Sequence, residues 1–311
     1  MNTVRSQLDS ASADWQAPLT LEHIVPSLGS YPLAQTQLIP VIMRMTANLE
    51  TEVEDLTRIL STDPALSAKV VQLANSPFYG SRHTITSLHQ AIQILGFATV
   101  RSLAVAASAY GLFRKEETEG TEQELWRHSL AVGLASRLVA RRVGSPEIEE
   151  EMFLTGLLHD ISKLILLQQF TDQYQPVLDR YASDPAGHLI IESTTLGFTH
   201  ADLSAIILDQ WGFPERMIAV IHRYAIPDLP YFIRTKHAIE QCDLSLPHML
   251  CFAHELASAA GFGFRDCGEV DVFSLPSTRQ LGFDRSTVAE LAGNLTITMF
   301  EESGFRLLNE G

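Results

Sequence analysis

His159 and Asp160 are adjacent in a strongly apolar stretch of the chain, and an imidazole beside a carboxylate can hold a metal ion. The segment from residue 147 to residue 170 is predicted to be one helix that is apolar nearly all round and therefore buried. A buried carboxylate and a buried imidazole cost free energy unless something compensates them, and a divalent metal would do so. The alternative is that polar groups on neighbouring helices satisfy both side chains.

His128 lies on the preceding predicted helix, residues 125–143. Successive helices joined by a short turn pack antiparallel, so residues at similar distances from the turn lie level with each other. His128 is 16 residues before Gly144 and His159 is 14 residues after Ser145, so the two imidazoles should face each other. Two imidazoles and a carboxylate suit Mn, Fe, Ni or Zn. Alternatively, His128 donates to a carbonyl or carboxylate across the helix interface.

Four further side chains have ambiguous roles. Lys163 follows Asp160 by three residues on the same helix face, where it could hold a phosphate oxygen or pack its stem and extend its ammonium to solvent. His200 lies in the first turn of a predicted helix, where a surface role is common, and His222 is predicted to be half-exposed. His254 interrupts an apolar stripe, where a lone histidine is usually a satisfied core residue.

The elements that must position these residues are helical. Asp63 before a proline predicts a helix start, and Thr199 with Asp202 predicts a capping box. No stretch alternates in polarity for long enough to form a sheet, so we predict an all-α fold of two helical bundles. The predicted helices span residues 53–60, 64–75, 88–95, 97–112, 125–143, 147–170, 187–196, 200–211, 214–220, 248–260 and 285–302.

A charged segment, residues 114–124, is the predicted domain boundary, although a simple loop within one bundle is the alternative. We therefore expect a polar N-terminal tail at 1–19, a first bundle at 20–115, and a second bundle with a closing helix at 116–311. Two domains are also the ordinary expectation for 311 residues.

Composition excludes several classes of protein. The net charge of −15 argues against a nucleic-acid partner, because that binding depends on Lys and Arg. Three cysteines without a Cys-x-x-Cys pair fit a reducing compartment. The chain has no secretory apolar segment and no run of about 18 apolar residues, so we expect a cytoplasmic protein without a membrane span. Phosphate-binding loops of the Walker type and Gly-x-Ser-x-Gly elbows are absent.

The chain contains the motifs Asp63-Pro-Ala-Leu-Ser-Ala-Lys-Val-Val-Gln-Leu-Ala-Asn-Ser-Pro-Phe-Tyr-Gly80, Ala91-Ile-Gln-Ile-Leu-Gly96, Leu125-Trp-Arg-His-Ser, Gly156-Leu-Leu-His-Asp-Ile-Ser-Lys163, His200-Ala-Asp-Leu-Ser-Ala and Trp211-Gly-Phe-Pro214. Together these motifs resemble those of HDOD-domain proteins, over about residues 20–260. The resemblance implies an all-α fold and a bacterial cytosolic signalling role. The family is related to the HD superfamily of metal-dependent phosphohydrolases, which includes cyclic-di-GMP phosphodiesterases, but its members generally resemble regulatory modules whose hydrolase centre has decayed.

About half of the residues that form the superfamily's metal and catalytic centre have a matching residue in this sequence. The first histidine matches His128, the His-Asp doublet matches His159 and Asp160, and the catalytic lysine matches Lys163, which would be catalytic only if the protein is an enzyme. Ser162 stands where glycine is usual.

The other half of that centre is altered. The closing aspartate falls on His254, and the histidine pair expected before an x-Pro turn falls on Tyr224 and Ala225. A two-metal centre is therefore unsupported, and at most one divalent ion (Mn, Fe, Ni or Zn) is expected. The ligand set that the resemblance implies is His128, His159, Asp160 and His254.

These observations favour a non-catalytic regulatory module that binds a signalling protein partner of unspecified identity. The alternative is a metal-dependent phosphohydrolase acting on a nucleotide or cyclic dinucleotide. A sensor that binds a small ligand in the altered cleft is a third hypothesis.

Overall fold

A computed structural model describes residues 20–28, 38–47, 51–76, 79, 84–113, 120–181, 188–225, 245–264 and 271–301. Every regular element in these ranges is helical, which confirms the predicted all-α class. The α-helices are α1 Leu21–Leu28, α2 Leu38–Ala47, α3 Val53–Leu60, α4 Pro64–Ala74, α5 Leu88–Leu95, α6 Phe97–Phe113, α7 Thr121–Arg142, α8 Glu149–Leu158, α9 Ile161–Gln169, α10 Thr171–Tyr181, α11 His188–Leu196, α12 His200–Gln210, α13 Glu215–Arg223, α14 Ser245–Ala257, α15 Pro276–Gln280 and α16 Arg285–Glu301.

Local side-chain chemistry sets several helix ends where the sequence predicts them. The Asp63 carboxylate accepts hydrogen bonds from the backbone N–H groups at the start of α4, at 2.9 and 3.0 Å. Thr199 and Asp202 form the predicted capping box of α12. Gly96 ends α5 with φ at 85°, a conformation that favours glycine.

The predicted single helix over residues 147–170 is wrong, because the chain forms a short 3₁₀ turn at Pro146–Ile148 and then breaks between α8 and α9. Asp160 leaves the helical conformation at the break, with φ −107° and ψ 17°. The neighbouring Ser162 is anchored from outside the segment: its hydroxyl donates to the His200 carbonyl at 2.7 Å, and its N–H donates to the Ser204 hydroxyl at 3.3 Å. Tertiary hydrogen bonds thus decide a helix end that periodicity does not reveal.

Helices α7 and α8 pack against each other at two glycines. A Cβ atom on Gly156 would lie 2.6 Å from the Val132 carbonyl oxygen, 2.6 Å from the Ser136 hydroxyl and 2.8 Å from the Gly133 Cα. A Cβ on Gly133 would lie 3.0 Å from the Phe153 carbonyl oxygen. A side chain at either glycine would therefore press on the backbone of the other helix at this crossing, which brings the two helices into the antiparallel pair that the sequence predicts.

One continuous cluster of buried apolar side chains runs from Ile24 to Leu295. Helix α6 packs against α2 and α4 and also against α7 and α8. Residues 114–119, in the predicted domain boundary, lie outside the described ranges, as do Cys242 and Cys267. Residues 121–124 form the first turn of α7, where Glu122 is buried. Within the described part of the chain, no helix combines the length and apolar character needed to cross a membrane.

Candidate functional site

Three histidine rings from distant parts of the chain meet inside the second half of the protein. His128 lies on α7, His159 at the break between α8 and α9, and His254 on α14. The ring of His128 is 5.3 Å from that of His159 and 4.9 Å from that of His254, and the latter two are 5.5 Å apart. The matched spacing from the α7–α8 turn therefore predicts the His128–His159 approach correctly. We call these three residues the histidine cluster.

Backbone carbonyls orient two rings of the histidine cluster. Nδ1 of His128 lies 2.9 Å from the Phe262 carbonyl oxygen, and Nδ1 of His159 lies 2.7 Å from the Gly156 carbonyl oxygen. A carbonyl accepts but never donates, so the proton of each neutral ring is on Nδ1 and its Nε2 carries a lone pair. This tautomer is the one that metal-binding histidines adopt when a second hydrogen bond holds the ring.

The Nε2 atom of His159 is buried and makes no hydrogen bond. It lies 3.3 Å from Oδ2 of Asp160. Burial lowers the pKa of His159, and the neighbouring Asp160 offsets only part of that effect, so the neutral ring is favoured. A neutral nitrogen and a carboxylate oxygen this close together could be neighbouring ligands of one cation.

Asp160 is fully buried beside the histidine cluster. Its Oδ2 accepts a hydrogen bond from the Lys163 ammonium at 2.8 Å. Its Oδ1 lies 3.4 Å from the Tyr224 hydroxyl and 3.4 Å from Nε2 of His200. Burial alone would raise the pKa of Asp160, but His159 and the Lys163 ammonium outweigh burial and hold the pKa well below its usual range. Asp160 is thus an ionised carboxylate with partners on both oxygens.

Lys163 is only 1% exposed, so its ammonium does not reach solvent as one interpretation of the sequence had it. The ammonium lies beside Asp160 and 5.8 Å from the centre of the Phe264 ring. The Lys163–Asp160 ion pair is therefore enclosed by protein.

His200 is completely buried, so the predicted surface role is wrong. Its backbone N–H and its Nδ1 both contact the Glu192 carboxylate, at 2.8 and 2.7 Å, and its Nε2 lies 2.9 Å from the Tyr224 hydroxyl. His222, predicted to be half-exposed, instead has a largely buried side chain that contacts Asp202 at 2.7 Å.

Glu192, which the sequence analysis missed, anchors the layer behind Asp160. It also accepts hydrogen bonds from the hydroxyls of Tyr174 and Tyr181. Burial acts to raise the pKa of Glu192, but His200 and Lys163 outweigh it and lower the pKa. Two tyrosines seven residues apart share one face of α10, and a glutamate interrupts the apolar start of α11. Those two features of the sequence could have indicated that a buried glutamate is hydrogen-bonded by two tyrosines.

The donor set fits one cation. The histidine cluster offers one ring nitrogen from each residue, and these three atoms lie within 4.8 Å of one another. Among the described side chains that contact this site, the Asp160 and Glu192 carboxylates outnumber the Lys163 ammonium. A divalent ion would offset that negative excess and engage the lone pair on His159.

The HDOD domain family model matches residues 34–227. A solved HDOD domain protein of unknown function from Geobacter sulfurreducens has a TM-score of 0.70 at 22% identity, with 95% of this chain and 94% of that chain covered. A provisionally named phosphohydrolase from Shewanella amazonensis SB2B has a TM-score of 0.68 at 24% identity, with 91% of this chain and 97% of that chain covered. A provisionally named signal transduction protein from Marinobacter aquaeolei VT8 has a TM-score of 0.68 at 23% identity, with 96% of this chain and 65% of that chain covered.

At these identities the solved structures show a shared fold and nothing further. Among curated proteins, an uncharacterized protein of Treponema pallidum (strain Nichols) is 20% identical over 190 residues. The match covers 61% of this chain but spans only 37% of that relative's length.

Proposed function

This chain belongs to the HDOD family, and we propose that it is a regulatory signalling module that does not hydrolyse phosphodiesters. In this proposal the histidine cluster holds one divalent ion as a structural group, and the module acts by binding a signalling protein. A solved relative of the same fold is named for signal transduction, which agrees with such a role.

The observation that carries the proposal is the buried pair of Lys163 and Asp160. A hydrolase of this type needs a cation near the transferred phosphate and a water that a metal activates. Here the ammonium is 1% exposed and bonded to Asp160 at 2.8 Å. A phosphodiester would have to displace protein atoms and separate this ion pair before it met either group.

Tyr224 supports the same conclusion. It stands where the resemblance to the HD superfamily places a histidine pair, and it is 2% exposed. Its ring packs 5.2 Å from the ring of His159 and 5.7 Å from that of His254. An aromatic ring in this position covers the histidine cluster and supplies no imidazole for a second ion. The chemistry that an ion bound here would supply is therefore structural crosslinking of α7, α14 and the α8–α9 junction.

The test is an assay for hydrolysis of cyclic-di-GMP with Mn²⁺, Fe²⁺ or Ni²⁺ supplied. We expect no turnover by the wild-type protein above that of an Asp160→Ala variant, because substrate does not reach the buried pair. An active cyclic-dinucleotide phosphodiesterase, run in parallel, shows that the assay detects product. Turnover by the wild-type protein that disappears in Asp160→Ala contradicts the proposal.

That contrary result would support the second candidate function, a metal-dependent phosphohydrolase acting on a nucleotide or cyclic dinucleotide. The observation in its favour is the lone pair of His159, held towards Asp160 in a cluster that suits a metal. A solved structure of the same fold is also named as a phosphohydrolase. In that case Lys163 would be the group that contacts phosphate.

A further inference from the structure

We propose that this protein carries a docking groove for a short apolar segment and that residues 305–308 of the same chain, Phe-Arg-Leu-Leu, are its occupant. The groove lies between α16, the C-terminal end of α14 and the 3₁₀ turn at Val272–Ser274. The described residues that line it do not include the histidine cluster. The inference therefore goes beyond the proposed function and is independent of it.

The groove suits an apolar occupant. It has a volume of about 350 Å³, and among the described residues Asp271 and Thr296 are the polar side chains that line it. Both are already hydrogen-bonded to backbone. The Thr296 hydroxyl donates to the Ala292 carbonyl at 2.9 Å, and the Asp271 carboxylate accepts from the Phe273 N–H at 3.1 Å. The remaining wall consists of aliphatic and aromatic side chains and a glycine, so contact with it depends on the hydrophobic effect.

The apolar surface continues along α16 beyond the groove. Phe300 follows Thr296 by one turn on the same helix face, because the four residues of that face recur at intervals of four, three and four. These residues are Ala289, Gly293, Thr296 and Phe300. Phe300 is 72% exposed, and Ile297 beside it is 56% exposed. A contiguous apolar surface of this kind is typical of a docking site.

The sequence that follows α16 supplies apolar residues at the end of this surface. Residues 302–311 lie outside the described ranges and read Glu-Ser-Gly-Phe-Arg-Leu-Leu-Asn-Glu-Gly. Gly304 is three residues beyond the last residue of α16, and a glycine just past a helix end commonly reverses the chain. In that motif the residue after the glycine contacts the residue four positions before it, which pairs Phe305 with Phe300.

The segment matches the groove in length. The residues of α16 that line the groove run from Val288 to Thr296, which is about 12 Å at about 1.5 Å per residue. Four extended residues, 305–308, span about 13 Å at about 3.3 Å each. Three of these four residues are large and apolar. A reversal at Gly304 therefore brings a segment of the right length and character back along α16.

The covalent link favours this occupant over a second copy or another protein. A short flexible link gives an effective concentration in the millimolar range. A second copy would bring together two chains that each carry a net charge of −15. Arg306, the one basic residue in 302–311, instead meets the acidic Asp271 on the groove wall. A protein that uses this groove therefore has to displace the internal segment first.

Peptide binding in trans tests whether the segment occupies the groove. In the full chain, Phe305→Ser, Leu307→Ser and Leu308→Ser are combined as the serine variant, and a fluorescein-labelled peptide of residues 302–311 is added. We expect the serine variant to bind the peptide at least about 10-fold more tightly than the wild-type protein, in which the tethered copy competes. Equal affinities, or no binding by the folded serine variant up to about 1 mM peptide, would overturn the inference.

The matched control changes three polar residues of the same segment. Glu302→Ser, Asn309→Ser and Glu310→Ser together should leave peptide binding as weak as in the wild-type protein. If this control binds the peptide as tightly as the serine variant does, the apolar side chains are not the occupant and the inference fails. Circular dichroism checks that each variant is folded.

A substitution in the groove locates the site. A Cβ at Gly293 would meet nothing within 4 Å, so Gly293→Leu places a side chain in the groove. Added to the serine variant, it should weaken peptide binding at least about 10-fold. Unchanged binding would place the peptide elsewhere and contradict the inference. A wild-type dimer that Gly293→Leu dissociates, measured by sedimentation, would make a second copy the occupant and contradict it as well.

Hydrogen exchange of the wild-type protein decides the question if the serine variant does not fold. The amides of residues 305–308 should exchange at least about 10-fold more slowly than in the free peptide, because the groove protects them. Exchange at the rate of the free peptide refutes the inference. None of these measurements depends on the hydrolysis assay or on a bound ion.

Discussion

Replacing Gly156 by alanine tests whether the close approach of α7 and α8 is what builds the site. A Cβ at this position would lie 2.6 Å from the Val132 carbonyl oxygen and 2.8 Å from the Gly133 Cα, both of which are backbone atoms. Ordinary contact begins near 3.4 Å, so the helices would have to separate by several tenths of an ångström. Side-chain rotation cannot relieve contacts with backbone.

The expected cost follows from two opposing effects. In a helix interior, alanine is more stable than glycine by about 1 kcal/mol, whereas overpacking a close contact costs about 1–3 kcal/mol. Gly293 supplies the control, because it lies inside α16 and a Cβ there would meet nothing within 4 Å. Gly293→Ala should therefore be neutral or stabilising, and Gly156→Ala should lie about 1–3 kcal/mol below it in free energy of unfolding.

Urea unfolding of both variants and the wild-type protein measures this difference. Gly133→Ala should fall between the other two, because its shortest contact would be 3.0 Å. The Gly156 carbonyl also holds His159, so Gly156→Ala should weaken ion binding while Gly293→Ala leaves it unchanged. If Gly156→Ala is as stable as Gly293→Ala, the glycine crossing does not position these helices and the reasoning fails.

Two further predictions concern the buried charges. Lys163→Met should destabilise the protein by about 3–5 kcal/mol, because it leaves the Asp160 carboxylate buried without its ammonium, and adding Asp160→Leu should restore part of the loss. Urea unfolding of the two single variants and the double variant checks this, and strictly additive losses would contradict it. Since the fold lowers the pKa of Glu192 from 4.5, its charge stabilises the protein above that pH, and the benefit is lost as pH falls below it. The stability gap between wild type and Glu192→Gln should therefore narrow below pH 4.5, and a gap that is constant from pH 6 to pH 3 would count against this.

Features set by neighbouring residues in the sequence were predictable. The cap at Asp63 and the box at Thr199 depend on contacts within three residues, which the sequence displays directly. The approach of His128 and His159 was also predictable, because residues at equal distances in sequence from a short turn lie side by side on the two antiparallel helices that it joins.

Features set by distant contacts were not predictable from the pattern. Ser162 is held by α12, so nothing within its own segment signals that a helix breaks there. The buried His200 contacts Glu192, whose charge is in turn stabilised by His200 and Lys163 and which also accepts hydrogen bonds from Tyr174 and Tyr181. His254 looked like an ordinary core histidine, and only the resemblance to a family placed it beside the other two rings.

The break at Asp160 explains how an apolar segment accommodates so many polar groups. In a continuous helix, neighbouring side chains point about 100° apart, so His159 and Asp160 would face different surroundings. The break instead turns both towards one interior point, with His159 Nε2 and Asp160 Oδ2 3.3 Å apart, while Lys163 stays one turn further along α9 to neutralise the carboxylate. The Asp160 carboxylate and the Lys163 ammonium thereby meet each other inside the protein. The same arrangement that stabilises these buried charges also encloses Lys163 and Asp160, so the stability of the cluster and the lack of hydrolysis that we propose would have one structural cause.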